Sequence, residues 1–222
     1  MHAAELMARL NPSTVRYDVG RGGIPMLTAQ DIAAALAFVE EGLGRELLVR
    51  TWWPAGAKLA TERLHEIVDR AVRAEWARRE MVMTEALMAV IDHGPRAQRQ
   101  YQDAVAQRWP ELTTRRNDRE PVVADGWRMV RNGVLAEVGS AGLCYACSGR
   151  GTTSNDHGVS VECGTCSGVG HHRMGERERA YAAGFKWTTY RESWSQVYDW
   201  AFQHCSEALH RAERQLGAAL RD

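Results

Sequence analysis

Apolar residues recur at three- and four-residue steps over most of this chain, the spacing of amphipathic helices. Thr28 followed by Asp31 resembles a helix start, and Ile32, Leu36 and Val39 continue on one face. Gly42 and Gly44 weaken that helix, and Trp52-Trp53-Pro54-Ala55-Gly56 breaks the pattern. From Ala57 to about Ile91 the repeat is long: Leu64, Ile67, Val68, Ala71, Val72 and Trp76 make a stripe that Met83, Leu87, Val90 and Ile91 extend. Glu62, Arg63, Asp69, Arg70, Arg73 and Arg78 are expected on the solvated opposite face. His93-Gly94-Pro95 stops this helix, and a shorter one runs from Arg96 to Trp109, ending at Pro110.

Glu111 to Pro121 is polar, carries Arg115, Arg116 and Arg119, and reads as a linker or exposed loop. A helix from Val122 to about Val138 follows, with Val123, Trp127, Val130 and Val134 in register. Thr189 and Glu192 have the spacing of a capping box. Beyond it Tyr190, Trp194, Val197, Ala201, Cys205, Ala208, Ala212 and Leu216 line one helix face. Only one stretch has strand character: the turn residues Ser154 to Gly158, then the alternating Val159-Ser160-Val161, read as a two-stranded ribbon. The start of the chain, through Met26, is weakly patterned and expected to be irregular.

That ribbon lies between two copies of one unit, Cys144-Tyr-Ala-Cys147-Ser-Gly149-Arg-Gly151 and Cys163-Gly-Thr-Cys166-Ser-Gly168-Val-Gly170. Two CxxC pairs with fifteen residues between them fit one tetrahedral zinc ion with Cys144, Cys147, Cys163 and Cys166 as its ligands. Glycine lets backbone amides turn toward metal-bound sulfur without a Cβ clash. A redox CxxC would sit between a strand and a helix and would not come duplicated with trailing glycines. His171 and His172 are alternative ligands by chemistry, but four thiolates already close a structural site. The expected fold is therefore mostly α: a helical bundle with an inserted four-cysteine zinc-binding β-ribbon and a C-terminal helix-turn-helix-like segment. By segment this gives an N-terminal helical or irregular part at 1–56, a helical region at 57–140, the zinc module at 141–172 and the C-terminal helices at 173–222.

Composition narrows the function. The chain has 222 residues, 45% hydrophobic and 25% charged, enough for one large domain or two small ones. A net charge of zero excludes a strongly basic nucleic-acid coat and leaves room only for a local basic patch. Arginine supplies nearly all the positive charge, with lysine only at 58 and 186, a bias that a GC-rich genome explains more simply than a need for bidentate contacts. No apolar run reaches membrane-spanning length, and the N-terminus lacks a charged segment followed by a continuous apolar one. Five cysteines, four in a metal pattern, suit a reducing cytosol; Cys205, on an apolar helical stripe, reads as a small core hydrophobe. Trp52 and Trp53 are expected to pack onto flanking helices, with an exposed anchor for a protein partner as the alternative. There is no nucleophile–base–acid set, no Walker loop and no GxGxxG, so an enzyme is not expected.

The segment after the second cysteine pair carries the local basic excess. Glu176 to Ala183 reads as a short helix, Gly184-Phe-Lys186-Trp187 as a turn, and the capped helix follows: the order of a helix-turn-helix. Arg173, Arg177, Arg179, Lys186 and Arg191 stand against Glu176 and Glu178, where phosphate contacts would place them. Ser195 and Gln196 face outward on the first turns of the second helix and are candidates for base-edge contacts. Two helices joined by a glycine turn are also common in helical proteins of every function.

Two resemblances attach to these residues. Cys144 to Cys166 resembles the CxxCxGxG knuckles of DnaJ-type chaperones, but that family carries four copies for two zinc ions, together with a J domain and a Gly/Phe-rich linker that this chain lacks. The segment Glu162-Cys-Gly-Thr-Cys-Ser-Gly-Val-Gly-His-His-Arg-Met174, with Ala180-Tyr181 after it, resembles the late antitermination (Q) proteins of lambda-type bacteriophages. That resemblance covers about the last eighty residues, is looser beyond Trp187, and leaves residues 1 to about 120 without a counterpart. It implies a non-catalytic factor that binds double-stranded DNA at a late promoter and engages paused bacterial RNA polymerase holoenzyme, sigma and core. It would then travel with the polymerase through terminators. It also implies one structural Zn2+ and a nucleoid-associated place in the cytoplasm of a bacterial host. The rival readings are a chaperone-like or adaptor zinc module that binds extended polypeptide, and a single-stranded RNA binder that stacks bases on its tryptophans.

Overall fold

Between Thr61 and His93 the sequence contains neither glycine nor proline, so nothing interrupts helix over that length. The structure, a computed structural model, describes residues 29–114, 122–139, 144, 146–147, 152–154, 159–166 and 174–220. It is mostly helical. The helices are α1 (Ala29–Leu36), α2 (Leu43–Trp52), α3 (Thr61–Ala106), α4 (Asp125–Gly139), α5 (Glu176–Ala182), the short α6 (Trp187–Thr189) and α7 (Ser195–Ala219). Two small antiparallel pairs complete it: β1 (Thr113–Thr114) with β2 (Val122–Val123), and β3 (Thr152–Ser154) with β4 (Ser160–Glu162). The chain divides into one unit of residues 1–60, 136–174 and 204–222 and another of 61–135 and 175–203.

In the second of these, α3 is two helical arms joined at Gly94, whose φ of 69° and ψ of −151° leave the helical region. Glycine adopts that conformation without steric cost, and Pro95 then opens the second arm. The arms double back on each other. Arg79 donates to the carbonyl of Gln107 at 3.2 Å, and Arg108 lies 3.2 Å from Glu80. In one straight helix residues 80 and 108 would be roughly 42 Å apart at about 1.5 Å per residue. Leu64, Val68 and Val72 at the base of the first arm are buried, as the periodicity predicts. The predicted extension of that stripe is buried only in part: Met83 and Val90 are half-buried, while Leu87 is 46% and Ile91 74% exposed.

Asp69, expected in solvent, is buried instead. Its Oδ1 accepts from the Trp127 indole N–H at 2.8 Å and its Oδ2 from Arg131 at 2.7 Å, which ties α4 to α3. On its other side α4 passes close to Trp194 at Gly126 and close to Tyr198 and Ala183 at Gly133, where added Cβ atoms would collide with or crowd those side chains. Trp127, Val130 and Val134 are buried in the predicted register. The helix starts three residues later than expected, however, because Val122 and Val123 pair with Thr113 and Thr114. The polar stretch 111–121 is thus bracketed by a strand pair, and two-residue strands leave no periodic signal. The capping box predicted at Thr189 is also replaced. Thr189 is already helical at φ −61° and ψ −41°, and the chain enters helix at Trp187, passing through one π turn (Tyr190–Trp194) into α7. The cap of this type sits earlier, where Glu178 accepts from the Gly175 N–H at 2.7 Å.

In the other unit α2 is a helix that Gly42 and Gly44 concealed in the sequence. Gly42, at φ 152°, ends the α1 region and begins α2, and the backbone of Gly44 approaches Ala208 so closely that any Cβ would strike its carbonyl. Leu47, Leu48 and Val49 are buried with Ile32, Leu36 and Val39 of the α1 region and with Cys205, Leu209, Ala212 and Leu216 of α7. Glu46 accepts from the Arg50 side chain at 2.8 Å and from the Leu59 N–H at 3.3 Å, and Arg50 also donates to the Leu59 carbonyl, which closes the chain after the Pro54–Gly56 3-10 turn. The Trp53 ring lies over Gly56, while the side chain of Trp52 lies outside the described part of the structure. No helix among the described residues is long and apolar enough to cross a membrane.

Candidate metal centre

β3 and β4 pair with Thr152 opposite Glu162, Thr153 opposite Val161 and Ser154 opposite Ser160. The pairing brings the residue after β4, Cys163, back beside the first CxxC. The four thiols then converge. Cys144 and Cys163 have Sγ atoms 3.8 Å apart, Cys147 and Cys166 3.7 Å, and all four lie within 4.8 Å of one another. These separations are far longer than a disulfide's ~2.05 Å. The 3.8 and 3.7 Å pairs match the ~3.8 Å edge of a tetrahedron whose centre is ~2.3 Å from each sulfur. Exposure of the four cysteines is 3% or less, so water could not solvate four thiolates here. The cluster can hold a metal ion, and its donor set of four soft sulfurs fills a tetrahedral coordination sphere.

Cys163 shows the electrostatics of the cluster. Its thiol is pushed down to about 7, chiefly by the backbone N–H of Cys166 and against the effect of burial, with the Thr165 N–H and the thiols of Cys166 and Cys144 adding to it. Amides turned toward sulfur stabilise thiolate, the form a metal takes. The same chemistry was expected of the glycines after each second cysteine; Gly149, Gly151, Gly168 and Gly170 lie outside the described residues, as do His171 and His172. By contrast Cys205 is fully buried in α7 among apolar side chains, and burial pushes its thiol up to about 12. It behaves as a small core hydrophobe.

The residues expected to contact DNA have different fates. Arg173 lies outside the described residues. Arg177 is exposed, its guanidinium 5.7 Å from the Trp187 ring centroid. Lys186, Arg191 and Gln196 are exposed just before α6, on the π turn and at the start of α7. Ser195 is half-buried and donates to the Arg191 carbonyl at 3.1 Å. Arg179 does not join them. It is 7% exposed, pairs with Asp199 at 2.8 Å, and stacks over Tyr198 and Phe202 at 5.1 and 4.8 Å. A guanidinium so enclosed fastens α5 to α7 and has no face left for a phosphate. The helical spacing did contain the signal, since Arg179 falls four residues before Ala183 and next to Ala180, both buried. Tyr181, which the sequence reading quoted only as part of a resemblance and gave no role, is 88% exposed one turn beyond Arg177 on α5. Comparison with protein-family models, with curated proteins and with solved structures finds no match to this chain.

Proposed function

We propose that this chain is a transcription antitermination factor that binds promoter-proximal double-stranded DNA and RNA polymerase, so that the polymerase reads through terminators. The observation that carries the reading is the buried four-cysteine cluster, followed directly in sequence by a helical segment with exposed basic side chains. The metal is zinc, one ion, in a structural role: four buried thiolates at tetrahedral edges suit it and leave no position for a substrate. The CxxCxGxG pair and the residues after it resemble late antitermination proteins, and this supports the polymerase and late-promoter assignment.

The DNA-contacting set is Arg177, Lys186, Arg191 and Gln196, with Ser195 beside them and Arg173 added on its sequence position alone. α5, the Gly184 turn and the helix from Trp187 have the order of a helix-turn-helix, in which the second helix enters the major groove by its first turns. Arg191 and Gln196 lie in those turns. Arg179 supports this set by holding α5 against α7 through Asp199.

The test is a mobility shift on late-promoter fragments of the genome that encodes the chain, with salt varied. Binding should weaken steeply as salt rises, because each phosphate contact releases counterions. Binding indifferent to salt, or no binding to any promoter fragment, would overturn the reading.

A further inference from the structure

The first arm of α3 carries a second apolar pattern, beside the one that faces its partner arm. Ala74, Ala77, Met81, Thr84, Met88 and Ile91 follow one another at steps of three, four, three, four and three residues, and all six are exposed. That is the a/d spacing of a coiled-coil seam. Leu87, also exposed, borders it. Met83, Ala86 and Val90 on the same arm are half-buried, so the seam is additional to what holds the hairpin together. Met81 is 56%, Met88 60% and Ile91 74% exposed. The one polar residue of the seam does not spoil it: the Thr84 hydroxyl donates to the Glu80 carbonyl at 2.8 Å, which satisfies it within the helix.

We propose that this face binds the same face of a second copy of the chain, with the two helices antiparallel. Size order along the seam argues for it. Small residues, Ala74 and Ala77, occupy one end, and large ones, Met88 and Ile91, the other. Antiparallel pairing sets Ala74 against Ile91 of the partner subunit, Ala77 against Met88 of the partner subunit, and Met81 against Thr84 of the partner subunit. Each layer then holds one small and one large side chain. Parallel pairing would stack alanine on alanine at one end and isoleucine on isoleucine at the other, leaving a gap and a bulge. Charge order selects the same direction. Arg73 and Arg78 flank the small end, Arg78 already paired with Glu75 at 2.7 Å, and parallel pairing would set Arg73 against its own image. Antiparallel pairing moves them to the far end of the partner.

The area sets the strength. Met81, Leu87, Met88 and Ile91 together expose roughly 500 Å2 of side chain, so a pair would bury on the order of 1,000 Å2, the lower edge of specific interfaces. The dimer is accordingly expected to be weak and reversible.

Sedimentation or light scattering of the metal-loaded full chain, from about 1 to about 100 µM, should show mass rising from monomer toward dimer. Met88→Glu should weaken association at least ~10-fold while leaving helical content unchanged, since residue 88 is exposed in the monomer. Direction is tested by cysteine pairs: Ala74→Cys mixed with Ile91→Cys should cross-link under mild oxidation, and each variant alone should not. A chain that stays monomeric throughout, an association that Met88→Glu leaves intact, or cross-linking of Ile91→Cys to itself would each overturn the proposal. So would a face that engages only a different protein.

Discussion

The cysteine cluster and the Asp69 cluster are both buried groups of polar atoms held at bonding distance, and they are assembled from opposite kinds of sequence. Four sulfurs converge from residues 144 to 166, within one short ribbon. Asp69, Trp127 and Arg131 meet across 58 and 62 residues, and only after α3 and α4 have packed. In the first, spacing dictates geometry, and on the proposed zinc reading a bound ion would supply the energy. In the second, helix packing dictates geometry and the hydrogen bonds specify register. The comparison predicts different responses to losing a partner.

Loss of the metal has the largest expected effect. Structural zinc sites contribute on the order of 10 kcal/mol to the fold they close. Cys163→Ser, or chelation of the native chain, should abolish stoichiometric metal binding and open the ribbon. The helices elsewhere, which bury Leu64, Val68, Val72, Trp127 and Val130 without any metal, should keep most of the helical circular dichroism. Elemental analysis followed by a thermal melt checks both parts. A melt unchanged by chelation would show that the cluster does not hold the fold.

Asp69→Ala comes next. It strips both partners from a buried carboxylate and leaves the Arg131 guanidinium, 8% exposed, without its counter-ion. Breaking one side of a buried pair costs about 3–5 kcal/mol. Asp69→Asn should cost less, because an amide oxygen can still accept from Trp127. Denaturant midpoints that rank Asn and Ala equally would mean that the charge alone matters and the indole bond does not.

Glu213 sharpens the contrast, because it is a buried acid that lacks Asp69's company. Its Oε1 has no hydrogen-bond partner among the described residues, and burial pushes the carboxyl up to about 7, with Arg214 opposing. A folded-state pKa above the unfolded 4.5 means stability is fully present below the unfolded value and is lost as pH rises through 7. Glu213→Gln should remove that slope and raise stability at about pH 8 by on the order of 2 kcal/mol relative to wild type. His204 and His210, whose imidazolium forms are disfavoured chiefly by burial, act at the acidic side in both proteins and cancel in the ratio. Urea titrations of the pair at about pH 5 and pH 8 give the answer; parallel curves at the two pH values would rule out a buried, titrating Glu213.

How far the sequence could be read follows from the same division. The two CxxC pairs, the ribbon between them, the stop at Gly94 and the buried register of α4 and α7 are all encoded within a few residues, and each is legible. What escaped depends on distant partners. Asp69 sits beside Val68 on the edge of the apolar stripe, and only Trp127 and Arg131 decide that it turns inward. Arg179 carries the charge of a DNA contact, and Asp199, twenty residues away, takes it inside. Leu87 and Ile91 continue a core pattern past the point where there is a core to join. Leu43–Trp52 was masked by Gly42 and Gly44, yet Gly44 is there because α2 and Ala208 of α7 approach too closely for any side chain.

The smallest expected effect on stability separates two arginines of one helix. Arg177 and Arg179 are two residues apart on α5 and point to opposite environments, one exposed beside the Trp187 ring and one enclosed with Asp199. Arg177→Ala removes an exposed cation–π contact and should cost no more than about 0.5–1 kcal/mol. On the DNA-binding reading it should also weaken promoter binding uniformly across sequences and lower the salt slope by about one. Arg179→Ala should do the reverse: a larger loss of stability, because Asp199 and the faces of Tyr198 and Phe202 lose their shared partner, with no change in the salt slope of the protein that remains folded. Melting curves and salt titrations of the two variants side by side measure both quantities. A salt slope lowered by Arg179→Ala and untouched by Arg177→Ala would reverse the assignment, since it would mean that the enclosed guanidinium reaches the phosphates and the exposed one does not.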